Sequence, residues 1–188
     1  MQRRHILASL AAATTALVVA PALAQSGSGD AMAMNDTATK WMNDTAMVGS
    51  LSLAMSRIAL EKASDDMVKQ FATFETSEQE TIADVLMSMQ MDPSKAQGAL
   101  KKPTDADVEA KIDQAGKDML DKLRGMSGAD FDKQYVMGQL DGHKKLLTIQ
   151  EDYLKVGQNR EPLDVAKLAR ATVREHITLL EGLQSKMG

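Results

Sequence analysis

From Trp41 to the C-terminus, apolar residues recur every three or four positions, and no stretch alternates in the two-residue rhythm of a strand. That periodicity restricts the chain to helix-on-helix packing. Trp41, Val48 and Met55 repeat every seven residues with Leu51 and Ile58 between them, which predicts a long first helix from Asp36 or Thr37 to about Ala63. Ser64 and Asp65 offer an N-cap for a second helix to about Met91, with Met67, Phe71, Phe74, Ile82, Val85 and Met89 as its core face. Asp92-Pro93 stops it. Thr104 and Asp107 resemble a capping box opening a shorter helix to about Arg124, carrying Val108, Ile112, Leu120 and Leu123 inward.

Ser127 with Asp130 looks like the cap of a third long helix, which places Phe131, Tyr135, Val136, Leu140, Leu147 and Leu154 on one face and ends at Gly157. Pro162 fits the first turn of the last helix, with Leu163, Leu168, Val173, Leu179, Leu180 and Leu183 inward. The expectation is an all-α, up-down four-helix bundle with an extra short helix between the second and third long ones.

The N-terminus reads differently. Arg3 and Arg4 precede an uncharged run from Ile6 to Ala20, and Ala22-Leu23-Ala24 has the small-x-small form of a signal-peptidase site. Residues 1–24 are therefore expected to be a signal peptide cleaved after Ala24, of twin-arginine or ordinary secretory type. Residues 25–36, rich in Gly, Ser, Ala and Met, read as a flexible lead-in to a bundle domain over 37–187. The run before Pro21 is too short to span a membrane, and no later run approaches that length. A periplasmic protein is expected.

The chain has no cysteine, so oxidation contributes no disulfides and offers no thiol nucleophile or lipid anchor. Removing Arg3 and Arg4 lowers the basic count from 22 to 20 against 26 acids, a net charge of −6. An acidic chain without a basic run is unsuited to nucleic acid. Neither a Gly-x-Ser-x-Gly elbow nor a glycine-rich phosphate loop is present.

Three features interrupt the apolar pattern. Within Glu75-Thr76-Ser77-Glu78-Gln79-Glu80-Thr81, the phase of Phe71 and Phe74 turns Glu78 inward and leaves Glu75 and Gln79 at the margins. His143 falls among Val136, Leu140 and Leu147, and His176 among Val173, Leu180 and Leu183. Both lie near mid-helix, so a bundle could bring them to one level. Two histidines and one glutamate could hold a single metal with an open position. A di-iron centre needs Glu-x-x-His on two helices, and Leu140 and Val173 stand where those glutamates would be. The first helix offers Ser50, Ser52 and Ser56 on or near its inner side. Methionines form another candidate set: Met32 with Met34, and Met87 with Met91 four residues apart on the second helix, suit Cu(I) or simple gap-filling.

As an ordered set, the chain resembles a family of exported bacterial ferritin-like bundles of unknown function, often labelled outer membrane proteins. The resemblance is carried by Ile58-Ala59-Leu60-Glu61-Lys62-Ala63-Ser64, Val68-Lys69-Gln70-Phe71-Ala72, Ser127-Gly128-Ala129-Asp130-Phe131-Asp132-x-x-Tyr135, His143 and Arg174-Glu175-His176. It implies a histidine after an acid on the second helix, where Glu78-Gln79 stands here, and glutamates on the first helix near Ser52 and Ala54. Two of the family's three core histidines are matched, by His143 and His176. The resemblance thus implies a thinned ligand set of Glu78, Gln79, His143 and His176. The leading expectation is a non-enzymatic bundle binding a ligand or protein partner in envelope maintenance or stress tolerance. The alternative is a metal-binding bundle using these core His and Glu residues, or methionine-based copper handling.

Overall fold

The computed structural model describes residues 34–187, so the expected signal peptide and most of the lead-in, Met32 included, lie outside the described residues. Among the described residues six α-helices are present: α1 (Asp36–Lys62), α2 (Asp66–Ser88), α3 (Asp105–Glu109), α4 (Gln114–Arg124), α5 (Gly128–Val156) and α6 (Arg160–Met187). A single 3-10 turn, Pro93–Lys95, follows α2, and the described residues contain no strand. No helix among them is long and apolar enough to cross a membrane.

Cap chemistry sets most of the boundaries. Asn35 accepts from the amide of Ala38, and Asp65 from those of Met67 and Val68. The Thr104–Asp107 capping box forms in both directions, but α3 lasts little more than one turn. Asp113 then caps a new helix by accepting from Gly116, so the single short helix expected over 104–124 is two. At α5 the expected Ser127 cap makes no side-chain bond; Gly128 instead enters the helix with φ +61°, a conformation natural to glycine. Gly157 does end α5, though at φ −63°. Its missing side chain leaves room for Tyr153, whose ring carbons would lie 2.7–2.9 Å from a Cβ.

Short links make α1–α2 and α5–α6 two antiparallel hairpins. Ser52 faces Gln139 while Ser56 faces Tyr135, so α5 also runs antiparallel to α1. It follows that α2 and α5 are parallel. The strict up-down alternation expected from short connections breaks at this point, because residues 89–127 carry the chain back along the bundle before α5 begins. Arg57 and Lys102 hold that crossover: both reach Glu80, at 3.0 and 2.8 Å, and Arg57 also donates to the Pro103 carbonyl. Asp132 accepts from the amides of Ser64 and Asp65 and from the Ser64 hydroxyl, tying the α1–α2 loop to α5.

The apolar core has two parts. The larger gathers Leu53, Phe71, Leu120, Phe131, Tyr135, Val136 and Leu180; the smaller gathers Trp41, Met42, Leu86, Tyr153 and Ala166. A polar layer lies between them. The core face expected on α2 is turned by one position: Met67 and Phe74 are 50% and 56% exposed, whereas Glu75 and Gln79 are buried. On α6, Leu168 and Leu179 likewise face outward, at 72% and 53%. α2 packs on α1, α1 on α5 and α5 on α6, whereas the α2–α6 seam closes mainly through side chains.

Candidate functional site

Mid-bundle, α2, α5 and α6 bring Glu75, His143 and His176 together, with Ser52 of α1 behind them. His143 Nε2 is 3.2 Å from His176 Nδ1. Glu75 Oε2 is 3.3 Å from the first nitrogen and 2.9 Å from the second. All three residues are buried, and these three atoms form a compact triangle.

Each member of the triangle is held from behind. His143 Nδ1 lies 2.8 Å from the main-chain carbonyl of Gln139, which can only accept, so Nδ1 carries the proton. In the neutral ring Nε2 then presents a lone pair to the triangle. His176 Nε2 lies 3.4 Å from Glu78 Oε2; a proton on that nitrogen leaves Nδ1 as a second lone pair. Ser52 Oγ is 2.5 Å from Glu75 Oε1. Gln139 fixes Ser52 in turn, its Oε1 lying 2.6 Å from that hydroxyl while its Nε2 donates to the Ser52 carbonyl and to Ser56 Oγ. Ser56 then meets the Tyr135 hydroxyl at 2.9 Å. A buried polar chain thus runs from Tyr135 to Glu75.

The electrostatics follow from this layout. Burial opposes charge on Glu75, but the His143 charge and the contacts from His143, His176 and Ser52 outweigh it and hold the carboxyl well below the usual range. Burial likewise opposes a charged His143, and the Glu75 carboxylate overcomes it, raising the imidazole above its ordinary value. Glu78 behaves oppositely: burial first, and then the Glu75 charge, push it up to about 7. With these outer bonds the triangle gathers three electron-rich atoms around one point, which a proton or a cation must bridge. A proton on His143 Nε2 or His176 Nδ1, or a metal ion, can do so.

The spacing suits a metal. Donors about 2.1 Å from an ion, at tetrahedral or octahedral angles, lie about 3.0–3.4 Å from each other. The observed separations of 2.9, 3.2 and 3.3 Å match that spacing. Glu75 Oε2 accepts no hydrogen bond of proper geometry despite lying between two imidazoles, which leaves its lone pairs free for a cation. An imidazole backed by a carboxylate, and another backed by a carbonyl, are the usual outer supports of metal-bound histidine.

Of the residues expected from sequence, His143 and His176 meet as anticipated. Glu78 is placed at the edge, its side chain 21% exposed, where it supports His176 instead of entering the triangle. Gln79 is buried but points to α1; a Cβ on Gly49 would lie 2.6 Å from its Oε1. Glu75, expected at the margin, occupies the centre. The spacing Val68-Ala72-Glu75-Gln79 carries the true inner face, a line of small and polar residues that a search for large apolar ones passes over. The methionine pair on α2 does not share a helical face, because the helix ends at Ser88 and Met91 lies beyond it, exposed.

Two cavities flank the site. One of about 250 Å³ lies between α1, α4 and α5, lined by Met47, Met55, Met119, Ser52 and Gln139. The other, about 240 Å³, runs along the α2–α6 seam over Phe71, whose ring centroid is 5.1 Å from that of His176.

Comparison with known proteins gives a family and a fold. A family model described as Domain of unknown function (DUF4142) matches residues 23–183. No curated protein matches the sequence. Among solved structures, a DUF305 fragment from Deinococcus radiodurans is similar with a TM-score of 0.60 at 14% identity, covering 81% of this chain and 98% of its own. A DUF305 protein from Streptomyces coelicolor, described as secreted, is similar with a TM-score of 0.64 at 13% identity, covering 81% of this chain and 94% of its own. At these identities the likeness is one of fold.

Proposed function

The chain belongs to the family described as Domain of unknown function (DUF4142), and we propose that it is an exported helical bundle holding one transition-metal ion between Glu75, His143 and His176. The observation that carries this reading is the triangle of ligand atoms, 2.9–3.3 Å on a side, with an outer partner for each ligand. Two imidazoles and one carboxylate are borderline donors, suited to Zn²⁺, Fe²⁺ or Cu²⁺ and less so to Mg²⁺ or Ca²⁺. The set is complete without Gln79 and without a glutamate from α1, whose place Ser52 takes as a support for Glu75.

The bundle's single long crossover is the connectivity of ferritin-like folds, which supports the resemblance seen in the sequence. One carboxylate in the triangle, instead of the four or more of a di-iron centre, favours a mononuclear site. The role is one of holding the ion, not of catalysis: neither flanking cavity is lined by a ligand residue of the triangle. Periplasmic residence is supported by the Arg3-Arg4 start and the Ala22-Leu23-Ala24 site.

A second reading rests on the 2.9 Å contact between His176 Nδ1 and Glu75 Oε2, which a proton alone can satisfy. In it the triangle is a buried charge cluster that fixes the packing of a scaffold protein. Elemental analysis decides between the two. Protein purified from periplasm without a metal-affinity step should carry close to one equivalent of a transition metal, and Glu75→Gln should lose it. Less than about a tenth of an equivalent, persisting after dialysis against Zn²⁺, Fe²⁺ or Cu²⁺, would leave only the charge-cluster reading.

A further inference from the structure

We propose that Glu78 Oε2 and His176 Nε2, at the solvent edge between α2 and α6, form a landing site where a divalent transition-metal ion binds before passing inward to Glu75, His143 and His176. The inference rests on the metal-holding reading above and adds the route by which the ion arrives.

The triangle is closed on its other sides. The Glu75 and His143 side chains are 0% and 1% exposed, against 9% for His176 and 21% for Glu78. Toward α1, Ser52 and Gln139 are buried and bonded to each other, so the cavity they line stops short of the triangle. Toward the other cavity stands Phe71, packed crosswise on both imidazoles with centroids 5.1 and 6.0 Å away. What remains is the edge where Glu78 meets His176, and there α2 and α6 are joined mainly by side chains.

That edge has the chemistry of a first contact. Glu78 Oε2 and His176 Nε2 are 3.4 Å apart, within the spacing of about 3.0–3.4 Å that two donors take around one ion. Two protein donors, with water in the remaining positions, hold an ion weakly, as a transit position must. Exposed Glu175 adds its charge to that of Glu78, whereas Arg174 is turned away to Glu151 on α5. A local excess of negative charge speeds the arrival of cations.

His176 then serves two places in turn, because a neutral imidazole has a single ring lone pair to offer. With the ion on Nε2, the ring proton sits on Nδ1, 2.9 Å from Glu75 Oε2, and bridges the empty triangle. After transfer, Nδ1 is the ligand and the proton sits on Nε2, facing Glu78. The ion gives up Glu78 and His176 Nε2 and gains Glu75, His143 and His176 Nδ1, and the ring ends with one proton as it began. Glu78 is thus a ligand on arrival and a rear support afterwards.

The test mixes Zn²⁺ with the metal-free protein in stopped flow, a zinc-sensitive dye reporting the free ion, and then releases it into excess dye. Mildly alkaline buffer keeps Glu78 ionised. Glu78→Gln retains an oxygen to accept from Nε2 but is a poor cation ligand. Uptake should slow about tenfold and release by a similar factor, with affinity at equilibrium nearly unchanged, because loss of a transit position hinders both directions alike. Glu175→Gln, which removes charge but neither donor, should slow uptake far less. Unchanged uptake in Glu78→Gln overturns the landing site, and faster release beside it would mark rear support alone. Equal slowing by the two variants overturns it as well, since attraction at a distance would then suffice. A wild-type chain that takes up no Zn²⁺ removes the metal-holding reading for this ion together with the inference, whereas rates indifferent to Glu78→Gln remove the inference alone.

Discussion

His143 Nε2 and His176 Nδ1 lie 3.2 Å apart on adjacent antiparallel helices, and a single oxygen of Glu75 completes a triangle with them. Two imidazole nitrogens with lone pairs directed at each other repel unless a proton or a cation lies between them. Everything packed around the pair decides which of these it is built to receive.

Gln139 supports two members of the triangle at once, His143 through its carbonyl and Glu75 through Ser52. Gln139→Leu keeps the carbonyl and removes the side-chain support. Metal affinity measured by chelator competition should fall about 10- to 100-fold, as is usual when an outer partner is lost. A change of less than twofold would show that Ser52 and Glu75 are positioned without it.

Without metal, stability should depend on pH with a definite sign. Glu75 is depressed by its partners, so its contribution is complete above the unfolded value of 4.5 and is lost as the pH falls below that. The raised His143 contributes fully below its unfolded value of 6.5 and loses that contribution as the pH rises through its folded value. Glu78, raised from 4.5 to about 7, adds a penalty that grows between those two pH values. Melting temperature of the metal-free protein should therefore peak in mildly acidic buffer and decline towards neutrality, with Glu78→Gln flattening the decline. Metal should reverse the trend, because binding displaces the His143 proton and strengthens with pH. A flat profile from pH 5 to 8 for the metal-free protein would contradict this account of the charges.

Asp132→Ala should destabilise the protein by about 2–3 kcal/mol, since it strips the acceptor from two amides and a hydroxyl at the α1–α2 link. Urea unfolding measures this directly. Asp132→Asn keeps an acceptor and should cost less.

Gly157→Ala should cost about 1–3 kcal/mol through collision with the Tyr153 ring and with the Tyr153 main-chain oxygen, 2.9 Å from a Cβ, while φ −63° is open to any residue. Combining it with Tyr153→Leu should recover, in thermal melts, only the part of the loss that the ring causes. If the double variant remains as unstable as Gly157→Ala alone, the Tyr153 main-chain oxygen and not the ring is what excludes a side chain there.

The four long helices and most of their boundaries were legible because caps and apolar periodicity agree locally; the break at Asp113 that divides the expected short helix in two was not. The meeting of His143 and His176 was legible too, since each continues an apolar series. The phase of α2 was not. Met67 and Phe74 are large and apolar, and a periodicity reading places such residues inside; here the inner line is Val68, Ala72, Glu75 and Gln79. Buried polar residues become visible only with their partners, and the partners of Glu75 are on α1, α5 and α6. The direction of α5 was hidden for a related reason: nothing local to residues 89–127 says that they traverse the length of the bundle. Ser52 and Ser56 were recognisable as inward, but their link through Gln139 to Tyr135 joins residues 79 to 87 positions apart.

The parallel course of α2 and α5 means that the chain is two hairpins joined by one strap. Both histidines belong to the second hairpin, and Glu75 with Ser52 to the first. An ion held by all three ligands therefore works as a rivet between halves that sequence separates, and its binding energy falls on the act of pulling them apart. Loading should slow unfolding more than it speeds folding, so that the bound protein outlasts harsh surroundings by persistence in time.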